Sequence, residues 1–177
     1  YGTESRSAHM LSWQSAFRTK GDAVTDRLTA LSPLDGRYRA DVAALEAYCS
    51  EAALYRYRAR IEIEYLIFLT KARNVTFVPK LSAQAAAELR GLYRSFRPED
   101  AEAIAEWDRK VNHDVKAVEY WLREQLAKLG LGAWQEAIHF ALTSEDVNNL
   151  AYALMLREAR DLVMLPALNE LGALLYQ

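Results

Sequence analysis

From Asp41 onward the apolar residues of this chain recur at three- and four-residue steps rather than in alternation, which is the period of an α-helix. In residues 50–74 the apolar positions Leu54, Tyr57, Ile61, Tyr65, Phe68 and Ala72 make one such stripe, and Arg56, Arg58, Arg60, Glu62 and Glu64 fall mostly on other faces. Ser50 is placed to cap this helix, because its hydroxyl can accept from an amide of the first turn. A short connection over residues 75–81, containing Pro79, leads to Ser82, which caps an alanine-rich helix reaching about Phe96. Pro98 suits the first turn of the next helix, where its missing N–H is no loss, and Glu99 and Asp100 favour the positive end of the same turn. Another helix begins near Asp114, with Val115, Val118, Leu122, Leu126 and Leu129 on one face, and Gly130 and Gly132 end it. On its surface Glu119 and Arg123 are spaced for an i,i+4 pair worth roughly 0.3 kcal/mol.

Thr143, followed three residues later by Asp146, predicts an acidic capping box at the start of a last helix running to Gln177. Its apolar residues, among them Val147, Leu150, Leu154, Met155, Leu162, Val163 and Leu168, do not keep to one narrow stripe. A helix apolar around most of its girth expects neighbours on several sides. Pro166 is expected to kink this helix rather than end it, since the periodicity resumes beyond. No equally long partner helix occurs in the chain, so the partners come from other copies or the chain has been cut; the helical pattern at Gln177 favours a cut. The fold class is all-α. The expected division is an extension or tag over residues 1–27, a helical domain over 28–142, and from 143–177 the first long helix of a central bundle.

Composition narrows the function. A formal net charge of −2 over 177 residues carries no electrostatic footprint for nucleic acid or an anionic membrane. No apolar run reaches the roughly 18–20 residues that span a bilayer. The single cysteine, Cys49, rules out an internal disulfide and a multi-cysteine metal site, and points to a reducing compartment. The polar residues 1–26 have no period; Ser7, Ala8, His9 and Met10 read as an expression scar or natural extension, and Arg18 and Lys20 resemble a targeting arm, with a disordered terminus the favoured reading.

Three polar stretches carry candidate chemistry. Pro33-Leu34-Asp35-Gly36 is turn chemistry in which glycine accepts a left-handed conformation, and it projects Arg37 and Tyr38; the arginine offers a planar fork to phosphate or carboxylate, or is simply a solvated loop residue. Asn112-His113-Asp114 lies between two helices, where its polar groups either converge on a ligand or serve as a helix cap supplied by Asn112 or Asp114. Thr143 and Ser144 stand where helix-start amides and hydroxyls favour an anion, and a cap with no ligand is the other reading. His139, flanked by Ile138 and Phe140, reads equally as a core histidine.

Ser-Pro-x-Asp-Gly-Arg-Tyr at Ser32–Tyr38, Asn-His-Asp-Val-Lys-Ala-Val-Glu-Tyr at Asn112–Tyr120 and Thr-Ser-x-Asp at Thr143–Asp146 together resemble adenylosuccinate lyases of the bacterial type, over residues 28–177. The last motif is shared across the fumarase and aspartase superfamily. The resemblance implies a β-elimination releasing fumarate from adenylosuccinate and from the succinylated aminoimidazole carboxamide ribotide, without metal or organic cofactor, in a cytoplasmic homotetramer. It implies that Arg37 and Tyr38 hold the substrate, with Arg37 facing the phosphate. Asn112, His113 and Asp114 line the pocket, His113 assisting orientation or proton handling. Thr143 and Ser144 bind the succinyl carboxylate, and His139 lies near the phosphate. The family's general acid, in a Thr-His-x-Gln segment, and its serine base, in a Ser-Ser-x-Met-Pro loop, do not occur here, so these residues alone are expected to be inactive. Other lyases of the superfamily fit the first two motifs poorly. A rival of another class is a non-catalytic helical module that binds a partner through the apolar last helix.

Overall fold

The helices follow from local signals that the side chains satisfy. The computed structural model describes residues 29–176, and among these it contains α-helices and short 3-10 and π turns without a strand. The expected extension over residues 1–27 lies outside the described residues. A 3-10 turn at Ala43–Leu45 leads into α1 (Glu46–Cys49). Then follow α2 (Glu51–Leu69), α3 (Ala83–Arg94), α4 (Pro98–Val111) and α5 (Asp114–Lys128). After a 3-10 turn at Gly132–Ala137 come α6 (Ser144–Ala159), a π turn at Arg160–Met164 and α7 (Leu165–Leu175).

Ser50 and Ser82 act as expected, their hydroxyls accepting from Ala53 N at 3.1 Å and Ala85 N at 3.0 Å. Pro98 opens α4, and the Arg97 N–H donates to Asp100 across 2.8 Å. The end of α5 is a Schellman motif: Gly130 takes φ +72°, its N–H reaches Ala127 O, and Leu131 N reaches Leu126 O at 2.7 Å. Helix runs on past Pro166 because a π turn precedes it, with the Leu165 N–H bonded back to Arg160 O.

The described residues fall into two compact units. One comprises the residues as far as Ala53 together with those from Leu156 on, and the other is Leu54–Met155. In the second, α4 packs on α5, and Ile104 on α4 and Trp121, Leu122 and Leu126 on α5 are buried, as is Leu89 on α3. Each such side chain contributes roughly 1.5–3 kcal/mol by leaving water. Phe96 meets the Trp121 ring edge-on at 5.7 Å.

One expectation, about the faces of α2, does not hold. On α2, Phe68 is exposed while Arg58 and Glu62 are buried among Tyr57, Ala59, Ile63 and Leu66. On the last helix burial follows a narrow stripe, Val147, Ala151, Met155 and Ala159, and Leu150, Leu156 and Leu168 stay exposed. No helix of the described residues is long and apolar enough to cross a membrane.

Candidate active site

The start of α6 is closed by reciprocal hydrogen bonds. The Thr143 N–H and hydroxyl both donate to Asp146 Oδ2, at 2.7 and 2.8 Å, and the Asp146 N–H returns to Thr143 Oγ1 at 3.4 Å. These bonds, the backbone one foremost, hold the Asp146 carboxyl below its ordinary range. The capping box expected from Thr143 and Asp146 therefore forms.

Just upstream the chain makes a tight corner with two non-glycine residues in the left-handed region, His139 at φ +59° and Ala141 at φ +57°. Such conformations persist only where the surroundings over-determine them. Glu62 supplies that here: its Oε2 accepts the His139 N–H at 3.0 Å and its Oε1 lies 2.6 Å from His139 Nδ1. Tyr65 donates to Phe140 O at 3.0 Å, and the Phe140 ring lies 4.6 Å from that of Phe77. On its far side His139 Nε2 is 3.8 Å from Glu119 Oε1, and Glu119 Oε2 pairs with Lys116 at 2.7 Å. The hydrogen bond to Glu62 raises the affinity of His139 for its proton, against burial, and the charges of Glu62 and Glu119 add to it.

A second polar cluster is centred on Arg58, whose side chain is only 2% exposed. Its Nε donates to Asn148 Oδ1 at 2.9 Å and its Nη2 to Asp114 Oδ2 at 2.5 Å. Asp114 Oδ1 also accepts the Val115 N–H at 2.8 Å. Burial would raise the Asp114 carboxyl, but the charge and hydrogen bond of Arg58 outweigh it and hold it low. His113 caps α5, its Nδ1 accepting from Lys116 N at 3.2 Å. Asn112 takes φ +51° at the end of α4 and is exposed. Neither residue named in the capping expectation serves as that cap.

Of the residues singled out from sequence, Asn112, His113, Asp114, His139, Thr143 and Ser144 all lie in the Leu54–Met155 unit. Arg37 and Tyr38 belong to the other unit, on a run of turns held by Gly36 N to Ser32 O at 3.1 Å and Tyr38 N to Pro33 O at 2.9 Å. Gly36 does not take the left-handed conformation expected of it; the described glycine with positive φ is Gly130. Both Arg37 and Tyr38 are exposed. Sequence reasoning missed Arg58, Glu62, Glu119 and Asn148. For Arg58 and Glu62 the only signal was the dense alternation of charged and apolar residues along α2, which a helix sends to opposite faces.

Known proteins resemble this chain over most of its length. The family described as Lyase matches residues 17–177. Adenylosuccinate lyase of Haemophilus influenzae is 49% identical over 145 residues, covering 81% of this chain and 32% of the relative. The enzymes of that name from Vibrio cholerae and Escherichia coli K12 are 48% identical over 143 residues and 47% over 145, covering 80% and 81% of this chain and 31% and 32% of theirs. The chain thus spans about a third of the length of these curated relatives. The chain belongs to the lyase family, and its likeness within it is to adenylosuccinate lyases.

Proposed function

We propose that this chain supplies part of the substrate site of an adenylosuccinate lyase. The reaction is elimination of fumarate from adenylosuccinate, leaving adenosine monophosphate, and from the succinylated aminoimidazole carboxamide ribotide. A base removes a proton beside a carboxylate, the resulting carbanion is stabilised in its aci form, and an acid protonates the departing nitrogen. Such chemistry needs a clamp for anionic groups as well as the acid–base pair.

The observation that carries the reading is the start of α6, capped by Thr143 and Asp146, four residues after a histidine held between carboxylates. Because the Thr143 hydroxyl is committed to Asp146, the donors offered to the succinyl carboxylate are the Ser144 hydroxyl and the helix-start amides. Within the Leu54–Met155 unit His139 serves the phosphate, and Asn112, His113 and Asp114 are substrate-binding residues; Arg37 and Tyr38, of the other unit, are substrate-binding residues as well, Arg37 for the phosphate. The general acid and base come from other parts of the protein, in a homotetramer, and residues 1–177 alone are inactive.

A second reading, a helical module that binds a partner, is favoured by the exposed Leu156, Leu168, Leu171 and Leu174 of the last helix. An assay of the protein as its gene encodes it decides between them. Fumarate and adenosine monophosphate formed in equal amounts from adenylosuccinate support the lyase. A folded protein that releases neither sinks it.

A further inference from the structure

Glu62 is a carboxylate in a place where packing alone favours an apolar residue. Its side chain is 1% exposed, and its neighbours along α2, Ala59, Ile63 and Leu66, are buried apolar residues. Both of its oxygens turn to one residue, Oε2 to the His139 N–H and Oε1 to His139 Nδ1. A carboxylate only accepts, so Nδ1 carries a proton and the ring cannot turn over without losing the contact. The backbone half of the contact holds His139 at φ +59°, which fixes where the ring leaves the chain.

The charged groups around this imidazole come from three helices. Glu62 lies on α2, Glu119 and Lys116 on α5, and Asp146, which feels the ring's charge, on α6. Three acids against one base favour a cationic ring.

The geometry points to Glu62 as a positioning residue for His139: it holds the imidazole in one orientation and as a cation beside the start of α6, ready for an anionic group of the nucleotide substrate. This deepens the lyase reading and rests on it. The raised proton affinity of His139 is the electrostatic counterpart of the contact, with the Glu62 hydrogen bond its largest cause.

The test follows the His139 imidazole by carbon and nitrogen NMR in the protein as its gene encodes it, beside steady-state kinetics. In the unsubstituted protein His139 titrates above the ordinary 6.5, with both ring nitrogens protonated at that pH. Glu62→Gln keeps an oxygen for the backbone N–H and removes the charge. Its His139 midpoint falls, since the largest cause of the raised affinity is gone, and KM for adenylosuccinate rises about tenfold, the difference between a charged and a neutral donor. Glu62→Asp recovers part of both.

The proposal is overturned if His139 of the unsubstituted protein titrates at or below 6.5, a result that requires no variant to fold. It is equally overturned if a folded Glu62→Gln leaves either the midpoint or KM unchanged. Absence of fumarate from the unsubstituted protein counts instead against the lyase reading, and the NMR arm still decides whether Glu62 governs the ring.

Discussion

Removing Asp114 and removing Arg58 break the same ion pair, yet the two losses leave different things behind. Asp114→Ala strands a guanidinium whose side chain is 2% exposed, with Asn148 Oδ1 its remaining partner in the cluster. An uncompensated buried charge costs about 3–5 kcal/mol. Arg58→Met leaves Asp114, whose side chain is 47% exposed, free to regain water while keeping the Val115 N–H at 2.8 Å. What is lost there is the guanidinium's two hydrogen bonds, one to a carboxylate and one to an amide oxygen, set against an apolar side chain that fills the space, for about 1–3 kcal/mol. Asp114 also sits in the first turn of α5, which adds about 0.3–1 kcal/mol to its own removal. The double variant separates the terms: with no stranded guanidinium, it is more stable than Asp114→Ala alone. Urea unfolding followed by tryptophan fluorescence reads this, since Trp107, Trp121 and Trp134 lie in the Leu54–Met155 unit. A double variant no more stable than Asp114→Ala refutes the asymmetry and the buried-charge argument with it.

Two further outcomes are expected. The folded pKa of His139 is raised, so its contribution to stability is complete below about 6.5 and is lost as pH rises through the folded value. The stability difference between the parent and His139→Gln therefore shrinks as pH is raised from 6.5; a difference that grows rules out the paired imidazolium. Ala141 is exposed at φ +57°, a conformation that costs an L-residue about 1–2 kcal/mol. Ala141→Gly relieves it but gives the unfolded chain more freedom, for a net gain of about 0.5 kcal/mol that a higher urea midpoint records; a lower midpoint refutes strain at this corner.

The parts of the fold that were legible in the sequence depend on residues three or four apart. Ser50, Ser82, Pro98 and the Thr143–Asp146 pair each act within one helical turn, so local chemistry settles them. The all-α class follows equally from a period that any single helix displays. The contacts that organise the candidate site are of another kind. Arg58 reaches Asp114 across 56 positions and Asn148 across 90, and Glu62 reaches His139 across 77. Along α2 five charged residues alternate with apolar ones, and a two-residue repeat wound at 3.6 residues per turn sends charges to opposite faces. Some must face inward, but nothing local says which. Glu119 shows the same limit: spaced to pair with Arg123, it is buried and taken by Lys116, and Arg123 turns to Glu136 at 2.8 Å.

Capping at the start of α5 shows how such distant partners overrule a local rule. By capping preference Asp114 or Asn112 should close the helix, since both carry a short side chain with a good acceptor. Instead Arg58, arriving from α2, takes Asp114 Oδ2, and Asn112 takes φ +51° to end α4. That leaves His113, whose Nδ1 accepts from Lys116 N at 3.2 Å. The two histidines of the Leu54–Met155 unit thus turn Nδ1 to opposite kinds of partner: His113 accepts there from a backbone amide, and His139 meets a carboxylate. Both arrangements trace to two buried side chains one turn apart on α2: Arg58, which draws Asp114 away from the cap, and Glu62, which holds His139.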